Sequence, residues 1–405
     1  MVFEEEALSF SPLPFEILSA PSVWPLRHAR GRASVTSKSN SGVTFFIQRW
    51  TPFATITGHT KPIKPMKTIH TAITALLVLA ATVLAAAFGR ADTYSWENLQ
   101  SDIPGVAAHV DPNLVNPWGM AVGSTGVIWV SDNGTGVSTL YNQDGTAVPL
   151  VVAIPAKEPP KAGNPTGIVF NSTEFFKVTK NGNSEPSIFI FVNEDGTISG
   201  WNPALDETNA IVAVEGSGKN VYKGAALGVA NGHNFLYATN FHTGRVDTFD
   251  ENFNRVNPGG FIDPNLPRRF APFGISNING EIFVTYAKQA PGGRDDEPGP
   301  GNGFVNVFDT SGNLIRRLIS QGHLNSPWGL ALEEEDELWV GNFGDGQINN
   351  YDPNTGDFLE TLVTADGTPL EFEGLWALLP LGDGVYFTAG IADEEHGLFG
   401  IITED

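Results

Sequence analysis

Side chains that could bind a cation recur at one aligned place in this chain, the end of the second predicted strand of each repeat. The aligned residues that carry side-chain oxygens suited to a metal are Asp132, Asn193, Asn240 and Asn342, and the other two places hold Tyr286 and Ala389. Strand ends that converge on the axis of a closed ring form a circle of oxygen ligands, which suits a hard cation such as Ca²⁺. The pattern therefore predicts a metal site at these four residues, with Ca²⁺ as the candidate cofactor. The alternative is local, because Asn and Asp at strand ends also bond neighbouring backbone groups in turns.

A second group of polar residues lies on two longer insertions that are expected to cover one face of the ring. The predicted ligand-binding residues are Tyr286, Lys288, Asp295, Asp296, Glu395 and His396. Carboxylates near a histidine can serve acid–base or metal chemistry. Solvated loop charges are the alternative interpretation of the same residues.

The elements that must position these residues repeat six times along the chain. Five copies end in an aromatic residue followed by Asp or Asn, as in Leu140-Tyr141-Asn142 and Val307-Phe308-Asp309. Each repeat opens with a short strand signature such as Asn116-Pro117-Trp118-Gly119, and the third is placed at Ala226-Leu227-Gly228. A repeat of roughly 45–60 residues built from short strands is typical of a β-propeller. The predicted fold is therefore all-β, a six-bladed β-propeller.

The last repeat is predicted to be one strand short. Three strands are predicted there, at Leu375–Leu381, Val385–Thr388 and Leu398–Ile402, whereas Tyr94–Leu99 precedes the first signature without a blade of its own. We expect this N-terminal strand to close the last blade, because pairing of the two ends removes exposed sheet edges.

Charge and composition narrow the class of partner. The first 90 residues hold 9 of the 23 basic and 4 of the 45 acidic residues, so the remainder, with 14 basic and 41 acidic residues, carries a formal charge of −27. Such a surface repels phosphate backbones and anionic lipid headgroups, so nucleic acid is not an expected partner. The chain has no cysteine, which excludes disulfides and thiolate metal sites.

The segment from Met66 to Ala91 has the pattern of a secretory signal peptide. A basic start at Lys67 is followed by an uncharged run from Thr71 to Phe88, and small residues lead to Ala91. We expect residues 1–65 to be a non-native or disordered leader, 66–91 a signal peptide and 92–405 the propeller. The alternative for 66–91 is an uncleaved membrane anchor. Export predicts a secreted or extracellular protein with no stable membrane span in its mature form.

Several stretches together resemble an uncharacterised family of secreted β-propeller proteins. The matching stretches are Leu114–Ala121, Ala271–Gln289, Gly301–Asp309, Leu324–Ala331, Val340–Asn349, Gly374–Leu378 and Phe387–Gly400. The resemblance implies export and a propeller, and it implies no established reaction. More loosely, the blades look like six-bladed NHL-type propellers, which are similar in architecture to some calcium-dependent lactonases.

The leading functional hypothesis is an exported binding module that uses one face of the ring for a small molecule or a protein. A Ca²⁺-dependent hydrolase of lactonase type is the first alternative, although the single Asp in the predicted metal ring counts against it. A structural surface protein is the second alternative. Whether the protein is an enzyme stays open at this point, because fold alone does not fix a function.

Overall fold

Strands and turns make up the propeller domain, and no α-helix occurs among its described residues. The structure is a computed structural model that describes residues 92–158, 161–256, 260–334 and 337–405. Across these ranges, no helix has the length and apolar character needed to cross a membrane. The leader and signal-peptide predictions for 1–65 and 66–91 lie outside the described residues.

The described residues form 27 strands. In chain order they are β1 (Tyr94–Ser101), β2 (His109–Val110), β3 (Pro117–Val122), β4 (Ile128–Asp132), β5 (Val137–Tyr141), β6 (Val152–Ala153), β7 (Pro165–Phe170), β8 (Lys177–Lys180), β9 (Asn183–Pro186), β10 (Phe189–Asn193), β11 (Ile198–Trp201), β12 (Ile211–Val214), β13 (Tyr222–Ala230), β14 (His233–Asn240), β15 (Arg245–Phe249), β16 (Arg255–Val256), β17 (Phe270–Ile278), β18 (Glu281–Lys288), β19 (Gly303–Phe308), β20 (Leu314–Ser320), β21 (Pro327–Glu334), β22 (Glu337–Asn342), β23 (Ile348–Tyr351), β24 (Phe358–Thr361), β25 (Leu375–Leu381), β26 (Gly384–Ala389) and β27 (Leu398–Glu404).

Six sheets form the six blades, so the predicted six-bladed propeller is confirmed. Blade 1 is β3-β4-β5-β6, blade 2 is β7-β10-β11-β12, and blades 3, 4 and 5 follow as β13–β16, β17–β20 and β21–β24. Blade 6 has the order β25-β26-β27-β1-β2, in which β1 pairs antiparallel with β27 from Tyr94–Glu404 to Ser101–Leu398. The hairpin β8-β9 is an insertion in blade 2.

The aromatic–Asp/Asn pairs end the third strand of blades 1 to 5, as the repeat predicts. Tyr141, Trp201, Phe249, Phe308 and Tyr351 are the last residues of β5, β11, β15, β19 and β23. The Asp or Asn that follows begins a turn: the Asp309 carboxylate, for example, accepts hydrogen bonds from the backbone amides at 311 and 313, both at 2.9 Å. In blades 2 to 5 the Asp or Asn side chain thus caps the turn that follows the strand, whereas in blade 1 Asn142 donates to the Thr146 hydroxyl at 2.9 Å.

One apolar cluster fills each of the six contacts between neighbouring blades. Trp129 of blade 1 stacks on Phe189 of blade 2 at 4.1 Å between ring centroids, and Tyr141 of blade 1 stacks on Phe399 of blade 6 at 5.2 Å. Burial of such aromatic faces is the main driving force for assembling the ring. A seventh cluster, which includes Trp118, lies on the axis.

Glycine in the inner strands lets the blades approach one another at the axis. A Cβ on Gly119 would lie 2.5 Å from the Thr166 carbonyl oxygen, and one on Gly329 would lie 2.5 Å from the Trp376 carbonyl oxygen.

The sequence-based prediction for the third inner strand was wrong in register. The equivalent of Pro117-Trp118-Gly119 in blade 3 is Tyr222-Lys223-Gly224, four residues before the predicted signature.

Candidate functional site

A ring of six residues lies at the start of the inner strands. In five blades the last residue of the second strand pairs with the first residue of the inner strand, for example Asp132 with Pro117 and Asn240 with Tyr222. In blade 4 the equivalent pair, Tyr286 with Pro272, lies two residues inside the strands. In each blade the next residue of the inner strand belongs to this axial ring, which comprises Trp118, Thr166, Lys223, Phe273, Trp328 and Trp376. The register irregularity of all six inner strands begins at the same place, so these residues depart from regular strand geometry.

Aromatic members of the axial ring meet across the axis and form a plug. Trp118 stacks on Trp376 with ring centroids 3.5 Å apart, and Trp328 meets both edge-on, at 6.3 Å and 6.0 Å. Phe273 lies 5.9 Å from Trp376. Contacts between blades 1 and 5 and between blades 4 and 6 join blades that are not neighbours, so these rings fill the middle of the propeller.

A buried lysine is held above the plug. Lys223 is 4% exposed, and its Nζ lies 4.8 Å from the centre of the Trp118 ring and 2.5 Å from Glu194 Oε1. The other oxygen of Glu194 accepts a hydrogen bond from the Asn133 amide at 3.2 Å. The ammonium group is thus stabilised both by a carboxylate and by the face of an aromatic ring.

Glu394 reaches the same region from the loop between the last two strands of the chain. Its Oε2 accepts a hydrogen bond from Asn116 Nδ2 at 2.7 Å, while Asn116 Oδ1 accepts one from Trp376 Nε1 at 3.0 Å. Ala392, Asp393 and Glu394 all have φ between 55° and 66°, a left-handed conformation that costs free energy for residues other than glycine. Glu394 is therefore connected to the aromatic plug through Asn116, and a left-handed loop holds it there.

Asp296 is the third carboxyl group of the region and comes from the long insertion of blade 4. Its Oδ2 is buried without a hydrogen-bond partner among the described residues, and so is the hydroxyl of the neighbouring Ser326. Burial raises the pKa of Asp296, although the Ser326 hydroxyl and Lys223 act in the opposite direction. The Asp296 carboxyl and the Ser326 hydroxyl thus lie close enough to influence each other, and both are buried.

The charges of these four side chains influence one another. Burial raises the pKa of Glu394; Asn116 and Lys223 oppose this effect, and the carboxyls of Glu194 and Asp296 add to it. We define the channel mouth as Glu194, Lys223, Asp296 and Glu394 above the aromatic plug. Three carboxyl groups share one ammonium group there, and two of them have raised pKa values.

The four residues of the predicted calcium site make local hydrogen bonds and are not among the residues that form the channel mouth. The Asp132 Oδ2 accepts from the Thr139 backbone amide at 2.9 Å, Asn193 donates to the Thr197 carbonyl at 3.4 Å, and Asn342 donates to the His323 carbonyl at 2.8 Å. Asn240 donates to Asp247 at 2.8 Å. Each of these hydrogen bonds stays within one blade or the segment leading into it. This agrees with the alternative interpretation, in which Asn and Asp at strand ends bond neighbouring groups in turns.

Among the described residues, no group of three or more His, Asp or Glu side chains could hold a metal ion. Oδ1 of Asn240 and Oδ1 of Asn342 accept hydrogen bonds from backbone amides, whereas Oδ1 of Asp132 and Oδ1 of Asn193 have no partner among the described residues. The calcium site stays a prediction.

Of the six predicted ligand-binding residues, Asp296 lies at the channel mouth. Lys288 instead forms an ion pair with Glu297 at 2.5 Å, and His396 Nδ1 lies 2.6 Å from Asp102 Oδ2. Asp295 and Glu395 are exposed on their loops. Tyr286 is buried and lines a separate cavity between blades 3 and 4.

Sequence reasoning missed Glu194, Lys223, Glu394 and the aromatic plug. Glu194 immediately follows Asn193, and strand side chains alternate in direction. The alignment of strand ends was therefore correct in register, but the residue one position later reaches the mouth. A usable signal was present for the plug, because Trp recurs before Gly or Ala in three of the six inner-strand signatures.

On the opposite side of the plug, the inner strands enclose a cavity of about 370 Å³. It is lined by residues of all six blades, including Met120, Ile168, Leu227, Ile275 and Leu378. The axis thus has a cavity between the inner strands on one side of the plug and an ionisable mouth on the other, which defines the protein as a six-bladed propeller with a plugged channel.

Within that class the chain belongs to the same family as two uncharacterized proteins of Acanthamoeba polyphaga mimivirus. One is 32% identical over 319 residues, covering 74% of this chain and 83% of the viral protein. The other is 30% identical over 329 residues, covering 77% of this chain and 81% of the viral protein. No family model matches the chain.

Solved structures with a similar fold include virginiamycin B lyase from Staphylococcus aureus, with 15% identity, a TM-score of 0.46 and coverage of 77% of this chain and 99% of the lyase. A putative glucose dehydrogenase from a Thermus species has 15% identity and a TM-score of 0.47, covering 76% of this chain and 99% of that protein. These likenesses concern the fold alone.

Proposed function

We propose that this protein is a binding propeller whose channel mouth takes a small organic molecule with a positively charged nitrogen. The observation that carries the proposal is the imbalance of charge at the mouth, where Glu194, Asp296 and Glu394 face the single ammonium group of Lys223. Burial of carboxyls near like charges raises their pKa values, and a cation placed among them relieves that repulsion.

The neighbouring side chains favour an organic cation. Trp328 and Phe343 are partly exposed members of the aromatic cluster around the axis, and Phe343 stacks on Trp376 at 4.1 Å between centroids. Aromatic faces and carboxylates together are the combination that recognises ammonium groups in proteins. The acidic surface of the domain would also attract cations toward the mouth.

Calorimetric titration of the full chain with benzylamine tests this proposal, with benzyl alcohol as a neutral ligand of similar shape. We expect benzylamine to bind and Glu394→Gln to weaken binding about ten-fold or more, which corresponds to about 1.4 kcal/mol. The matched control is Glu395→Gln, because Glu395 is the exposed neighbour on the same loop. Equal binding of benzyl alcohol, or an equal loss in the control, would contradict the proposal.

The pH dependence of this binding has a defined sign. Asp296 and Glu394 have raised pKa values, so protons compete with the ligand for these carboxyls as the pH falls. Affinity for benzylamine should therefore rise with pH until both groups are ionised, and binding should release protons into the buffer. The proton release is measured by repeating the titration in buffers of different ionisation enthalpy.

A hydrolytic enzyme is the second candidate function. Carboxyl groups with raised pKa values are typical of acid–base catalysis, and the left-handed loop at residues 392–394 holds one of them in place. This version needs no calcium. A model lactone or aryl ester hydrolysed by the wild type, but not by Glu394→Gln, would favour it over simple binding.

Export stays part of the proposal. The signal-like segment 66–91 and the acidic, cysteine-free propeller support a secreted or extracellular protein. In that setting the partner is a small molecule or a protein that meets the exposed face of the ring.

A further inference from the structure

The cavity between blades 3 and 4 is separate from the channel mouth. It has a volume of about 430 Å³ and lies between the outer strands of blade 3 and the end of β18 in blade 4. Its lining includes Arg245, Thr248, Phe261, Leu266 and Tyr286. Tyr286, which the sequence analysis predicted to bind a ligand, is one of the residues that line this cavity.

Two residues that line this cavity carry buried hydroxyl groups without hydrogen-bond partners among the described residues. Tyr286 and Thr248 are each 3% exposed, and neither hydroxyl has a partner among the described residues. Burial raises the pKa of Tyr286, although the nearby Asn306 side chain opposes this effect, and the phenol keeps its proton at neutral pH and acts as a donor. Buried hydroxyls at a cavity wall favour a ligand that brings a hydrogen-bond acceptor, because leaving them unpaired costs free energy.

The other charged groups around the cavity form ion pairs with each other. Arg255 forms an ion pair with Asp247, whose carboxylate also accepts from Tyr222 at 3.1 Å. Arg317 forms a 2.5 Å ion pair with Asp263. Each of these charged groups already has a partner of opposite charge, so none of them favours a charged ligand.

Arg245 at the edge of the cavity is different. It is exposed and forms no ion pair within residues 92–158, 161–256, 260–334 and 337–405. An unpaired guanidinium on a strongly acidic domain is a natural partner for an anion, and its planar fork matches a carboxylate. The remaining wall, formed by side chains such as Val246, Phe261 and Leu266, is apolar.

We propose that this cavity is a second ligand site, specific for a small organic acid with an apolar body. The carboxylate would be held by Arg245 and by the hydroxyls of Tyr286 and Thr248, and the apolar body would lie against Phe261 and Leu266. The site is independent of the channel mouth and prefers the opposite ligand charge.

Benzoate is the probe, and benzyl alcohol is its neutral counterpart. We expect the full chain to bind benzoate and to bind benzyl alcohol at least ten-fold more weakly in calorimetry and saturation-transfer NMR. Arg245→Gln and Tyr286→Phe should each weaken benzoate binding about five-fold or more. Arg294→Gln is the matched control, since Arg294 is an exposed arginine on another loop, and Glu394→Gln should also leave benzoate binding unchanged.

Folding of the variants is checked by urea unfolding. Tyr286→Phe removes only an unpartnered oxygen, so its unfolding midpoint should match or exceed that of the wild type. Absence of benzoate binding, equal binding of benzyl alcohol, or unchanged affinity in either Arg245→Gln or Tyr286→Phe would overturn the proposal. A loss in Arg294→Gln equal to that in Arg245→Gln would overturn it as well, because it would indicate general charge attraction.

Discussion

Asp132 is a fully buried carboxyl group, and its replacement by asparagine should stabilise the protein increasingly as the pH rises. Its Oδ2 accepts one hydrogen bond from the Thr139 backbone amide, while Oδ1 has no partner among the described residues. Burial holds the pKa of Asp132 well above its usual range; the Thr139 hydrogen bonds oppose this effect and the nearby Asp111 carboxyl adds to it. The folded protein thus keeps this proton over a pH range in which the unfolded chain has lost it.

The sign of the effect follows from that difference in proton binding. Above about pH 4 the unfolded state has released the proton and the folded state has not, so wild-type stability falls as the pH rises toward the folded pKa. Each pH unit in this window removes about 1.4 kcal/mol from the free energy of unfolding. Asp132→Asn lacks this slope, so its advantage over the wild type should grow by the same amount per pH unit.

Asparagine is compatible with this position because the chain itself places it there in three other blades, at Asn193, Asn240 and Asn342. The assay is urea unfolding of both proteins at about one-unit pH intervals between about 5 and 7. Asp295→Asn, at an exposed aspartate, is the control and should show no such trend. A stability difference between Asp132→Asn and the wild type that stays constant with pH would refute the reasoning.

The same variant bears on the calcium prediction. A calcium site that includes Asp132 needs its carboxylate, so Ca²⁺ would raise the melting temperature of the wild type by mass action and leave Asp132→Asn unchanged. The hydrogen bonds within the blades lead us to expect no response to Ca²⁺ in either protein. A calcium-dependent shift confined to the wild type would restore the metal site.

Three further predictions concern the ring, the Glu394 loop and the start of the mature chain. Gly329→Ala should lower the free energy of unfolding by about 1–3 kcal/mol, because the added methyl group would meet a carbonyl oxygen of the neighbouring inner strand. The control is Gly299→Ala, whose methyl group would meet only a flexible side chain. Equal losses of stability in urea unfolding of the two variants would contradict the argument. Ala392→Gly should stabilise the folded protein by up to about 1 kcal/mol, because glycine adopts the left-handed conformation of this position without strain. Ala365→Gly is the control and should not stabilise the protein. Similar shifts of the melting temperature in the two variants would contradict the claim of backbone strain at Ala392. N-terminal sequencing of secreted material should begin near Asp92, and finding residues 1–65 intact would reject both the signal peptide and the proposed start.

Local patterns predicted the fold because each element of a blade has its own signature. The aromatic–Asp/Asn pairs end third strands since a short polar side chain caps the turn that follows, as Asp309 does. The register of the second strands could also be aligned correctly. The third inner strand was misplaced because Lys223 stands where other blades carry Trp, Phe or Thr, so its signature lacked the expected pattern.

The candidate site was harder to predict, because it depends on side-chain direction and on contacts between distant blades. Asn193 and Glu194 are neighbours in sequence, yet only Glu194 pairs with Lys223. Glu394 was overlooked in favour of Glu395 because the loop that carries it is left-handed at three residues without glycine, a conformation that no sequence rule anticipates. The partners of these groups become neighbours only after the ring has closed.

The stacked pair Trp118 and Trp376 gives the protein an internal optical reporter. The two indoles come from blades 1 and 6 and lie with ring centroids 3.5 Å apart and planes inclined at 19°. Chromophores at this distance couple their electronic transitions, so the folded protein should show an exciton signal in its circular dichroism that neither tryptophan gives alone. Since the two residues meet only when the first and last blades are joined, that signal follows closure of the ring itself, separately from the formation of individual sheets.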